Sequence, residues 1–259
     1  MKFWPVAVVW IATSAVMLAG WLWQKRRRNA GIVDVLWSLS MASSAVFYSL
    51  VGSGAAVPRI LVALLGGLWG LRLAAHIAHR VLNEDEDGRY RYLREHWHDD
   101  QRKFFGFFMA QALFTAIFSL PFLIAASNPR IGWTAWSTLA VLVWLVSLSG
   151  ESIADRQLAV WRAEPAHRGK TCRAGLWRYS RHPNYFFEFL HWFAYVCLAV
   201  GAGALWFSLS FLGPALMLVS LCWLTGIPYV EAQALRSRGE DYREYQRTTS
   251  ALVPWPPKK

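Results

Sequence analysis

Four polar residues, Asn184, Glu188, His191 and Tyr195, recur at i, i+4, i+7 and i+11 along a segment that is otherwise apolar. That spacing lines them up on one face of a helix. An amide, a carboxylate and an imidazole on one stripe can orient a polar ligand or hold a proton for it. Directly upstream stand Arg178, Arg181 and His182, followed by Pro183. Proline fits the first turn of a helix, where its missing N–H would have no partner anyway. Cationic side chains therefore gather where free N–H groups and the helix dipole already attract anions, which suits phosphate.

Other candidates are scattered along the chain. Glu151 and Asp155 lie four residues apart, Arg72, His76 and Arg80 share a helical face with His79 beside it, and Asp34 and Glu231 sit at the ends of apolar runs. Arg89, Arg162, Lys170, Arg173, Arg178 and Arg181 offer groups that pair well with pyrophosphate and a ribose 2′-phosphate. Plainer roles compete: Asp34 as a helix cap, His76 and His79 as bundle histidines, Arg178 and Arg181 as topology charges. Glu188 resists such a role, because a carboxylate in apolar surroundings must be neutralised or paired.

Two chemistries are disfavoured. Glu188-Phe-Leu-His191 has the ExxH spacing of di-iron bundles, but a second such motif is missing and only seven His exist, so no metal is expected. Gly52-Ser-Gly54 lacks the third glycine and the βαβ context of a Rossmann site.

These residues must be carried by membrane helices. Hydrophobic types make up 55% of 259 residues, with 16 Trp and a positive mean hydropathy. Apolar runs at 3–23, 33–51, 58–79, 104–126, 131–150, 184–202 and 206–229 predict an all-α integral membrane bundle of seven transmembrane helices. The first run is read as a retained anchor, since its charges (Lys25 to Arg28) follow the apolar part. Apart from Lys2, Arg59, Arg72 and Arg130, every Lys and Arg falls in segments 24–31, 80–103, 151–183 or beyond 230. The positive-inside rule then puts the N-terminus outside and the C-terminus in the cytoplasm. All the candidate polar groups fall in the cytoplasmic half, so a shared cavity open to the cytoplasm is the economical arrangement.

The net charge of +11 fits this bias and an attraction to anionic membrane lipid, and the spread of basic residues argues against nucleic acid. Cys172, Cys197 and Cys222 form no CxxC pair. One membrane domain is expected, with helices one to four in 1–126 and helices five to seven in 127–259.

The stretch Gly175-Leu-Trp-Arg-Tyr-Ser-Arg-His-Pro-Asn-Tyr-Phe-Phe-Glu188 resembles the GLWRYSRHPNYFGE signature of bacterial DUF1295 proteins, relatives of the steroid 5α-reductases (3-oxo-5α-steroid 4-dehydrogenases). Gly31-Ile-Val-Asp-Val-Leu-Trp37, Leu68-Trp-Gly-Leu-Arg-Leu73, Glu86-Asp-Gly-Arg-Tyr90, Asp155-Arg-Gln-Leu158 and Glu240-Asp-Tyr-Arg-Glu-Tyr245 extend the resemblance over nearly the whole chain. It implies a bacterial inner-membrane enzyme that uses NADPH to reduce the activated C=C bond of a 3-oxo-Δ4-steroid or similar enone. The later helices and loops would hold the cofactor through Asp155, Asn184 and Glu188, with Arg162 and Arg173 near the family's loop arginines. Arg80, Arg89, Lys170, Arg178, Arg181, His182, Tyr185, Glu231 and Tyr242 join as cofactor candidates, and the first four helices would enclose the lipid.

Two departures stand out. Phe187 replaces the signature's glycine, and His76-Ile-Ala-His-Arg80 stands where animal relatives carry HYFHR, so Ile77 replaces the tyrosine thought to polarise the substrate carbonyl. Asp34, His76 or Tyr90 must then supply that acid, with Glu188 orienting the nicotinamide amide. The rival enzyme reading is a membrane methyltransferase of the isoprenylcysteine or phospholipid type, which binds S-adenosylmethionine behind a similar RHPxY turn. A non-enzymatic lipid-binding or transport bundle lacks the inverted repeat it would need.

Overall fold

The computed structural model describes residues 2–224 and 226–258. Position 225, inside the expected span 206–229, lies outside the described residues. Helices follow in the order α1 (Trp4–Arg27), α2 (Ile32–Val51), α3 (Ala56–Asn83), α4 (Gly88–His96), α5 (Gln101–Phe118), α6 (Leu120–Ala126), α7 (Ala135–Ala163), α8 (Pro183–His191), α9 (Phe193–Leu198), α10 (Ala204–Ser210), α11 (Leu212–Val219), α12 (Ile227–Arg238) and α13 (Glu240–Thr248). No strand occurs among the described residues.

Among the described residues, six stretches are long and apolar enough to cross a membrane: Trp4–Arg27, Ile32–Val51, Ala56–Asn83, Gln101–Ala126, Ala135–Ala163 and, across position 225, Ala204–Arg238. The segment expected as a further span, 184–202, is instead the pair α8 and α9. At Trp192 the helical ladder tightens, its N–H bonding Phe189 O three residues back. Gly201 and Gly203 then take positive φ, at 109° and 97°, and close the α8–α9 run.

The chain divides into two compact units. The first comprises Met1–Thr138 with Tyr195–Gly213, the second Leu139–Ala194 with Pro214–Lys259. In the first unit, α2 and α3 cross closely because small residues meet. Gly66 and Gly70 form a GxxxG pair against Ser38, Ala42 and Ala45. A Cβ at Gly70 would lie 2.8 Å from Ser38 O and 2.9 Å from the Ala42 methyl, so no side chain fits without moving a backbone. Gly70→Val is accordingly expected to destabilise this unit by about 1–3 kcal/mol, read as a lower melting temperature in detergent. A Gly106→Val control, where nothing lies within 4 Å, should melt close to the parent.

A second core of this unit gathers Met17, Ala30, Val33, Tyr90, Phe104, Phe108 and Ala112, flanked by Trp21, Trp37 and Trp97. It places α4, which leaves the apolar run of α3 at Asn83, against the starts of α2 and α5. In the second unit, α12 opens with a proline in its first turn, and Gly239 at φ +55° lets α13 turn sharply away from it.

Candidate functional site

Both units carry polar clusters. In the first, Asp34 sits in the first turn of α2 and reaches the Glu86–Tyr90 motif. Its Oδ1 accepts the Tyr90 hydroxyl at 2.7 Å and its Oδ2 accepts Arg89 Nη2 at 3.1 Å. Asp87 caps α4 by accepting Arg89 N at 2.9 Å, accepts Arg89 Nε at 3.1 Å, and pairs with Arg80 at 3.3 Å. Burial pushes the Tyr90 phenol well above its ordinary value, and the adjacent Asp34 carboxylate pushes it further. Burial also acts to raise Asp87, but Arg89 and Arg80 outweigh it and hold the carboxyl below its usual range. The phenol thus stays protonated, with its hydrogen shared toward a carboxylate that an arginine steadies.

Of the three candidates for a substrate acid, the structure brings Asp34 and Tyr90 together and leaves His76 out. His76 and His79 are exposed on α3, outside this network. Beside it runs a second, more enclosed network. Glu86 accepts Arg94 through both oxygens, at 2.8 and 3.0 Å, and also accepts Ala30 N at 2.7 Å. Arg94 extends to Asp99 and to Gln24 Oε1, and its guanidinium lies over the Phe104 ring.

In the second unit, Asp155 on α7 meets the signature helix α8. Asn184 Nδ2 donates to Asp155 Oδ1 at 3.1 Å, while Asn184 Oδ1 accepts Tyr185 N at 3.0 Å. One turn along each helix come Glu151 and Glu188, both buried, and a turn further Ser147 and His191, also buried. The expected polar stripe of α8 therefore runs beside a stripe on α7, where Ser147 was not a candidate from the sequence and Glu151 was, together with Asp155. Glu151 is legible as its i−4 neighbour. Phe187 has a reason too: its ring lies against Gly150, so the small residue that the signature carries on α8 is supplied by α7.

The loop before α8 is firmly held. Leu176 N donates to Gln157 Oε1 and Trp177 Nε1 to Ala154 O, both at 2.9 Å. Gly175 takes φ +57° against the Gln157 side chain, where a Cβ would collide. Arg181, expected to hold phosphate, is committed elsewhere. Its Nε donates to Glu231 Oε1 at 2.7 Å, and Nη1 donates to Gln246 O and Thr249 O. His182 Nε2 lies 3.2 Å from the same Glu231 oxygen, and Gln246 Nε2 donates to Oε2.

Arg173 is likewise engaged by Asp241 and Glu244. Tyr242 is buried beside them, and burial pushes its phenol above the ordinary value. His182 stacks on Tyr185 with ring centroids 5.3 Å apart. The physical reason is proximity in the fold: α12 and α13 bring acids to the loop, and a buried guanidinium takes the nearest ones. Arg162, Arg168, Lys170 and Arg178 are exposed in this loop region. Among the described residues, no group of three or more His, Cys, Asp or Glu is placed to hold a metal ion.

The second cluster thus offers a polar, largely buried helix pair with exposed cations nearby. Such a site can orient an amide and accept phosphate. No curated protein and no solved structure matches the chain. A model of a family described as "Protein of unknown function (DUF1295)" does match it, over residues 20–249, and the chain belongs to that family.

Proposed function

We propose that this chain is an NADPH-dependent membrane reductase that acts on the C=C bond of an enone lipid such as a 3-oxo-Δ4-steroid. In this reading it crosses the bacterial inner membrane seven times, with the N-terminus outside and the site opening to the cytoplasm. The observation that carries the proposal is the Asp155–Asn184 hydrogen bond. It joins two motifs far apart in sequence into one half-buried polar pair, one helical turn from the buried Glu188, and supplies the donors and acceptors that an amide-bearing cofactor would use.

NADPH would supply the hydride. Asn184, Asp155 and Glu188 would bind and orient it, and Arg162, Lys170 and Arg178 would meet its phosphates. Arg181, Arg173, His182 and Glu231 would act behind them, by shaping the loop. At the substrate end, Asp34 and Tyr90 would hold a proton near the carbonyl oxygen, where charge develops on reduction.

Detergent-purified protein should bind NADPH, measured by fluorescence titration, and S-adenosylmethionine should not compete. Binding of S-adenosyl compounds in place of NADPH makes the chain a methyltransferase. Glu188→Gln should weaken NADPH binding by about tenfold or more, the loss of a charged hydrogen-bonding group. Unchanged affinity and turnover in that variant removes Glu188 from the site.

A further inference from the structure

Residues 249–258, which follow α13, lie along the loop that launches α8. Arg181 N donates to Ser250 O at 2.9 Å, Ser180 Oγ to Leu252 O at 2.8 Å, and Trp255 N to Tyr179 O at 2.9 Å. Arg181 Nη1 reaches Thr249 O, and Lys258 N returns to Thr248 O at 2.8 Å. From α13 itself, the buried Tyr245 hydroxyl points at the carbonyls of Trp177 and Ser180. Three consecutive loop residues, Tyr179 to Arg181, are thereby bonded to the segment beyond α13. The loop ends at Pro183 and Asn184, so whatever fixes it fixes the first turn of α8 as well.

We infer that residues 249–258 form a strap that positions the start of α8, with Arg181 as its buckle. Arg181 joins the two sides through its backbone N–H and its guanidinium at once, while Glu231 anchors the guanidinium to α12. Arg181 is on this account a positioning residue. It acts on a ligand only through Asn184, two peptide bonds beyond His182. Proline-rich sequence at Pro254, Pro256 and Pro257 suits a strap, since it stays extended without a ladder of its own. The effect on the cofactor rests on the reductase reading; the strap itself does not.

The test uses a chain ending after Thr249 and, in the full chain, Trp255→Pro, which removes the N–H that bonds Tyr179 O together with an exposed indole, and Trp255→Ala, which removes the indole alone. Hydrogen exchange in residues 176–182 should quicken at least about tenfold in the shortened chain and by a smaller factor in Trp255→Pro, with α1 to α3 unchanged. KM and Kd for NADPH should rise about tenfold while kcat at saturating NADPH stays near the parent value, as expected when binding geometry loosens. Parent-like exchange in 176–182 for the shortened chain and Trp255→Pro overturns the strap. Faster exchange with unaltered NADPH affinity overturns its positioning role. If the parent chain binds no NADPH, the reductase reading fails, and the exchange measurement still decides the strap.

Discussion

Arg94→Met should unfold or nearly unfold the first unit. Arg94 and Glu86 are each 10% exposed as side chains, and Arg94 is bidentate on Glu86. Removing one partner leaves the other charge enclosed, at a cost of about 3–5 kcal/mol, which is much of a typical domain's stability. The hydrogen bonds to Glu86 raise the Arg94 pKa and outweigh burial, which acts against its charge, so the guanidinium stays charged. The double variant Glu86→Gln/Arg94→Met should recover part of the loss. Glutamine keeps a carbonyl oxygen for Ala30 N while removing the stranded charge. Thermal melting in detergent of the two singles and the double reads this coupling. Additive losses would show that the network is not the tie between α1, α2 and α4 described above.

The Glu86–Arg94 tie also shows where sequence stops being legible. The all-helical class and most membrane-length segments follow from apolar runs alone, because hydrophobic length is a local property. The segment 184–202 was equally apolar, but its length depended on a tightening at Trp192 and on glycines at positive φ, which composition does not register. Asp155, Asn184 and Glu188 were legible as motifs, and the structure joins two of them through the Asp155–Asn184 hydrogen bond. The partners of Arg181 were not legible, for a physical reason. Its neighbours in sequence are cations and a helix start, which attract phosphate, whereas its partners in space, Glu231 and the carbonyls of Gln246 and Thr249, come from as far as 68 residues away. The packing of Gly66 and Gly70 against α2, and the compensation of Phe187 by Gly150, both required knowing which helix lay opposite.

Tyr90→Phe should leave the protein folded and nearly abolish turnover. The substitution keeps the ring that packs among Val33, Phe104 and Phe108 and removes only the hydroxyl that donates to Asp34. As a structural change, the loss of one hydrogen bond to a charged group costs about 1.5–3 kcal/mol. As the loss of a donor to developing oxyanion charge, it should lower kcat by about 10²–10³. The pH profile separates the two roles. Burial and the Asp34 carboxylate both hold the Tyr90 phenol above its ordinary value, so, on the proposed reductase reading, the parent chain should keep its turnover through the alkaline range. Asp34→Asn deletes the negative charge, which eases ionisation of the phenol and moves the alkaline limb of kcat to lower pH. It also sets an amide against Arg89 Nη2, so kcat should fall as well. A bystander strut would melt earlier in both variants while leaving kcat and its pH limbs where they were. His76→Gln is the matched control: His76 is exposed on α3 and outside the network, so turnover should persist. Were His76→Gln to lose turnover while Tyr90→Phe kept it, the proton would have to come from α3, and the Asp34–Tyr90–Arg89 cluster would be only the clasp that holds α4 to α2.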